Sequence, residues 1–289
     1  MIAVFGQIFI LFVFALAGYV ISKLGLIKAE NAGILSALLV NVFLPCKVFQ
    51  SFASNVTIQV MTEKYSFILI SAAILLVTVI IATVISRLLA KNKYEGRVLK
   101  YSMTIANLGY MGYTLVEALY GEIALFNMMV YAIPINLYIY TGGYCLLLKK
   151  KLSFKKLVNP VTVAMILGCV AGLTGIKLPD LALEILVQGG SCMGPVSMLL
   201  AGIVVSEFNF KELILNRNVW IVSAIRLIVV PVAVWAVLKP FCGIEVIMPA
   251  VLVTCMPCGL NGVVFPKLIG EDCKEQHGYC HCPVGSLSR

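Results

Sequence analysis

Charged or turn-rich breaks divide the chain into nine long apolar runs. They lie at about 2–22, 31–52, 65–86, 101–120, 123–147, 159–176, 185–206, 219–238 and 246–266. Each is near the roughly 20 residues a helix needs to cross a bilayer. The runs are continuous rather than alternating, which excludes the two-residue period of a membrane barrel. The expectation is therefore an all-α integral membrane protein with nine transmembrane helices. In the first run, Ala15-Leu16-Ala17 resembles a signal-peptide cleavage site. No Lys or Arg precedes that run and Lys23 follows it at once, so it reads as a retained span.

Composition agrees with the pattern. Of 289 residues, 61% are hydrophobic and 12% charged, with a mean hydropathy of +1.01. Soluble domains run at roughly 45–50% apolar and about 25% charged. Nine spans consume roughly 180 residues, which leaves no room for a separate catalytic or DNA-binding domain. The formal charge of +9 follows topology. Connections after spans 1, 3, 5 and 7 carry 14 Lys and Arg, and those after spans 2, 4, 6 and 8 carry 3. That asymmetry places the odd connections in the cytoplasm and the N-terminus outside, in a multi-pass protein of the cell membrane. Lipid is the expected partner, and nucleic acid is not needed to explain the charge. Seven of the ten cysteines lie in or beside apolar runs and read as small packing residues.

The spans repeat. Leu119-Tyr120-Gly121-Glu122 recurs as Leu268-Ile269-Gly270-Glu271 at an offset of 149, and Pro45 falls on Pro195 at 150. Residues 1–150 then form a first five-helix repeat and 151–271 a second with four helices. An odd number of spans per repeat makes the second copy enter from the opposite side, as in many secondary transporters. Helix breakers sit at matching places. Span 4 contains Asn107-Leu108-Gly109-Tyr110-Met111-Gly112, and span 9 contains Pro257-Cys258-Gly259-Leu260-Asn261-Gly262. Unwound backbone at membrane depth requires protein or a water-filled cavity to satisfy it. Glycines that merely allow close helix packing are the competing reading.

These stretches resemble the auxin efflux carrier family, including its bacterial members. Ala106 to Gly112 and Leu119-Tyr120-Gly121 look like that family's fourth span, and Met256 to Phe265 like its ninth. Leu44-Pro45 and Arg226-Leu227-Ile228-Val229-Val230-Pro231 fit as well, and the likeness covers about residues 1–272. The resemblance implies two inverted five-helix repeats with crossing broken helices, a fold similar to bile-acid symporters and sodium/proton antiporters. It implies a scaffold of spans 1, 2, 6 and 7, with the other spans carrying cargo by an elevator-like motion. It also implies a small organic anion as substrate, such as a dicarboxylate or an auxin-like acid. Two departures stand out. Many relatives have a proline near Thr114, so the first break rests here on Gly109 and Gly112, and the family has ten spans rather than nine.

Three ionisable residues fall inside spans. Lys47 and Glu117 lie about 8 Å and 5 Å from the outer ends of spans 2 and 4 at 1.5 Å per residue, close enough in depth to pair or to snorkel. Arg226 lies about 10 Å inside span 8. Its planar fork suits a carboxylate, of substrate or protein, or the free carbonyls of a broken helix. Asn107 and Asn261 offer amide donors to a carboxylate, beside the partial positive charge of half-helix N-termini. The candidate substrate residues are thus Asn107, Gly109, Gly112, Pro257, Gly259, Asn261 and Arg226.

Some chemistry has no residues to carry it. The only aspartates, Asp180 and Asp272, lie outside the spans, there is no zinc or ATP-binding motif, and both histidines are in the tail. No enzyme, cofactor or metal is expected. The expectation is a secondary active carrier of small organic anions. A channel or membrane sensor built on the same bundle is the alternative. Proton and sodium are both open as the coupling ion, and a homodimer is compatible. Residues 272–289, with Cys273, His277, Cys280, His281 and Cys282, are polar where the repeat calls for a tenth helix. They read as a shifted frame or early end, as a divergent tail or as a metal cluster of no common spacing.

Overall fold

The computed structural model describes residues 2–27, 31–90, 93–143, 145–146, 158–176, 178–206, 215 and 217–259. The helices are α1 (Ile2–Lys23), α2 (Ala32–Asn55), α3 (Ile58–Leu89), α4 (Lys93–Thr104) and α5 (Leu108–Tyr131). They continue with α6 (Ile133–Gly143), α7 (Pro160–Thr174), α8 (Asp180–Ser206), α9 (Trp220–Leu238) and α10 (Ile244–Cys255). Among the described residues the only extended pairing is one isolated bridge. Four helices (α2, α3, α8 and α9) are each long and apolar enough to cross a membrane, and residues 8–23, α7 and α10 are shorter apolar helices. The positions beyond 259, including Asn261 and residues 272–289, lie outside the described residues.

Local chemistry sets the helix ends, and it shifts several of them from the apolar limits. The Thr57 hydroxyl accepts the Val60 N–H at 3.2 Å, so α3 starts well before its apolar run at 65. Asn159 caps α7 by accepting the Thr162 N–H at 3.0 Å, Pro160 follows it, and Gly175 closes the helix at φ 66°. Gly121, at φ 82°, breaks α5 where the fourth and fifth apolar runs were separated. Pro45 and Pro231 remove backbone donors inside apolar helices. In each case the preceding turn, Leu39–Phe43 or Ile225–Val229, widens to π-helix, which relaxes the clash with the carbonyl four residues back.

The chain packs as two compact units, each drawing on both halves of the sequence. The first takes its described residues from Met1–Ile68, Gly109–Val130 and Phe154–Ser206, and the second from Leu69–Leu108, Tyr131–Ser153 and Glu207–Arg289. In the first unit α1 packs on the second half of α8, and α2 packs on α7. Both contacts are backbone-close. A side chain at Gly18 would strike the Leu199 carbonyl, and one at Gly202 the Ala15 carbonyl. Across the α2–α7 seam, a Cβ at Gly168 would meet the Phe49 carbonyl at 2.8 Å, and one at Gly172 the Val56 carbonyl at 2.7 Å. In lipid, association depends on such packing rather than on the hydrophobic effect, so small residues set how near the helices come. Ser206 donates to Ser22 at 2.6 Å along the first seam, and Phe52 meets Phe126 edge-on at 5.5 Å. In the second unit α9 packs on α10, and Ala82, Leu99, Met103 and Val222 form a buried cluster.

The α1–α8 seam is directly testable. Gly202→Val should lower the unfolding temperature of purified protein by about 5–10 °C, since overpacking at a fixed backbone costs about 1–3 kcal/mol or more. Gly6→Ala, where a Cβ meets nothing within 4 Å, should leave it unchanged. Equal melting of both variants would show that the seam does not hold the unit together.

Candidate functional site

In the second unit the chain leaves the helical path after Thr104 and again after Cys255, and the two non-helical segments meet. The Met256-Pro257 step is the locally encoded one: a residue before proline is pushed out of the helical region, and Met256 sits at φ −69°, ψ 144°. That ends α10 at Cys255. The opposite interruption, between Thr104 and Leu108, contains no proline. It is held open by its partner, because Ala106 and Cys258 form an antiparallel bridge. Asn107 donates its N–H to the Pro257 carbonyl at 2.9 Å, and Gly259 donates to the Ile105 carbonyl at 3.0 Å. Proline has no N–H, so Pro257 returns no bond at its rung. Leu108 donates to the Ala106 carbonyl at 2.9 Å, which folds Asn107 into a three-residue turn at the centre of the crossing. Gly259 has to be small, because a Cβ there would lie 3.1 Å from Ile105 Cγ2 and 3.3 Å from the Ala106 carbonyl oxygen.

Of the residues singled out from sequence, this crossing brings together Asn107, Pro257 and Gly259. Asn107 is 5% exposed, and its side-chain Oδ1 has no partner among the described residues. A buried amide end without a partner is a rarity that calls for a ligand or water. Gly109 and Gly112 lie within the π-helical first turn of α5, Leu108–Gly112, and belong to the first unit, where Gly109 faces Leu44.

Arg226 belongs to the second unit, in the π-turn of α9, and is 3% exposed. Its guanidinium donates to the Met103 carbonyl at 3.2 Å, in the last turn of α4. Of the partners the sequence left open, the one found is a carbonyl at the end of a broken helix. Among the described residues, two cavities touch Arg226. One is a chamber of about 20 Å³ whose polar lining includes Ser71, Thr78, Thr104, Tyr131 and Thr254. The other is an open groove of about 600 Å³ between α3 and α9, apolar apart from Thr78 and Arg226. The chamber hydroxyls were not singled out from sequence, since serine and threonine in a span carry no signal until the fold gathers them.

In the first unit, Lys47 on α2 donates to the Glu117 carboxylate on α5. Lys47 is buried, while the Glu117 side chain is 34% exposed. It is the one ion pair among the described residues. Gly190 of α8 makes room for it, since a Cβ there would sit 3.0 Å from Lys47 Cδ. Ser36 and Tyr110, 74 residues apart in sequence, share a buried hydrogen bond of 3.0 Å that again joins α2 to α5. Among the described residues no group of His, Cys, Asp or Glu is placed to hold a metal ion.

The sequence pattern of a family described as membrane transport protein matches the chain over residues 3–151 and 144–276. Comparison with curated proteins gives no significant match.

The ion pair generates a prediction. Lys47→Met should destabilise by about 1–3 kcal/mol, less than the full cost of breaking a buried pair because Glu117 is partly solvated. Adding Glu117→Gln should then cost little more, and the charge swap should recover stability. Additive losses in the double-mutant cycle would show that the pair contributes nothing as a pair.

Proposed function

The chain belongs to the auxin efflux carrier family of membrane transport proteins, and from that premise we propose that it is a secondary carrier of small organic anions. The family's members are membrane transporters rather than enzymes, and several helices here have the length and apolarity of membrane spans. The observation that carries the proposal is the crossing of two unwound segments at Ala106 and Cys258. An unwound pair inside apolar helices is costly to build and gives a membrane protein what continuous helices lack: backbone and amide groups free to meet a polar solute.

The proposed site consists of Asn107, Pro257 and Gly259 at the crossing, with Asn261, two residues further along the sequence, as a second amide. The Asn107 amide can turn its N–H₂ end to a carboxylate, since the two ends of the group exchange places by rotation about χ2. The helical turn that begins at Leu108, the next residue in the chain, carries the partial positive charge of a helix N-terminus. Dicarboxylates and auxin-like acids are the substrate class. Arg226 serves this site through the backbone, as argued below. Cargo moves by an elevator-like displacement of the bundle that carries the crossing, driven by a proton or sodium gradient. The Lys47–Glu117 pair is the candidate for proton coupling. The positive-inside count supports a cell-membrane location with the N-terminus outside.

Uptake of radiolabelled carboxylates into vesicles, with pH and sodium gradients imposed separately, tests the reading. Wild-type protein should give saturable uptake inhibited by a second carboxylate, and Asn107→Ala and Asn261→Ala should each reduce it at least tenfold without loss of inserted protein. Unsaturable flux would identify a channel instead, and wild-type kinetics in both variants would move the site away from the crossing.

A further inference from the structure

Arg226 carries a full positive charge at 3% exposure, and among the described residues no carboxylate lies within ion-pair distance of it. A buried charge without compensation is too costly to persist. Its compensation is in the backbone. α4 ends at Thr104 and α10 ends at Cys255, and the crossing brings these two C-terminal ends together. Thr104, Val253 and Thr254, from the last turns of both helices, line one chamber with Arg226. The carbonyl end of a helix carries about half a negative charge, so two converging ends present about one. The guanidinium donates to the Met103 carbonyl in the last turn of α4 and borders the same chamber as Val253 and Thr254 of the last turn of α10. The chamber beside it is about 20 Å³, roughly the room one water molecule needs, and the groove of about 600 Å³ that also reaches it offers an anion no polar side chain besides Thr78 and Arg226 itself.

We infer that Arg226 is the resident cation of the crossing, a fixed counter-charge occupying the place where two helix C-termini would otherwise require a mobile monovalent cation. It is a positioning residue: it holds the unwound segments in register and leaves the anion to Asn107 and the opposite, N-terminal side. For transport, which rests on the carrier reading above, the corollary is that sodium has no seat at this end of the crossing and does not drive the cycle from there.

The test uses the purified full chain and its unfolding temperature, with uptake as a separate arm. Arg226→Gln should lower the unfolding temperature by about 5–10 °C, the size expected for stripping a buried charge network of one partner. Arg226→Lys should restore most of that loss, because charge rather than shape is required. Sodium should stabilise wild-type no more than choline at equal ionic strength. Equal loss in the Gln and Lys variants, or a sodium-specific rise in wild-type, would each overturn the inference. Absence of carboxylate uptake by wild-type would remove the carrier reading and leave these melting comparisons intact.

Discussion

A backbone N–H or C=O in hydrocarbon has no water to bond, and that constraint governs this molecule. Continuous helices satisfy it automatically. Two segments do not, and they satisfy it through each other by the Asn107–Pro257 and Gly259–Ile105 hydrogen bonds. Neighbouring features follow from this pairing. Gly259 must be small for the strands to approach, and Arg226 must lie close because the helices that stop at the crossing leave their carbonyl ends there. The hydroxyls of Ser71, Tyr131 and Thr254 gather in the same small chamber.

The first unit solves a different problem, that of holding apolar helices together where lipid is as apolar as they are. Its seams rely on glycine against carbonyl, at Gly18, Gly202, Gly168 and Gly172, and on a few polar ties between helices. Lys47–Glu117, Ser36–Tyr110 and Ser22–Ser206 are those ties. Each joins residues far apart in sequence, which is the kind of contact that fixes register between helices when hydrophobic contacts are interchangeable with lipid.

The helical membrane class was legible in the sequence because hydropathy over about 20 residues is a local quantity. The break at Pro257 was legible for the same reason: proline acts on its own neighbours. The break before Leu108 was visible only as a suspicion raised by Gly109 and Gly112, because Ile105 to Asn107 contain no breaker and are held open by residues 150 positions away. Helix limits went astray where polar caps extend a helix past its apolar core, as Thr57 does for α3. The π-turns before Pro45 and Pro231 were not foreseen, since proline in a span permits a kink, a bulge or a clean end and packing decides among them. For Arg226 the sequence supplied a buried charge and several partners; only the convergence of two helix ends selects the carbonyl.

The unequal origin of the two breaks has a consequence for the order of assembly. Pro257 imposes its break as soon as it is made, whereas the break between Thr104 and Leu108 needs a partner strand some 150 residues further along the chain. On the ribosome the first segment reaches the bilayer well before that partner exists. During that interval an uninterrupted helix is the form in which the lipid tolerates residues 104–108. The mature crossing is therefore made by opening a helix already inserted, when Met256 to Gly259 arrive, and a segment made later acts as a template for reshaping an earlier one.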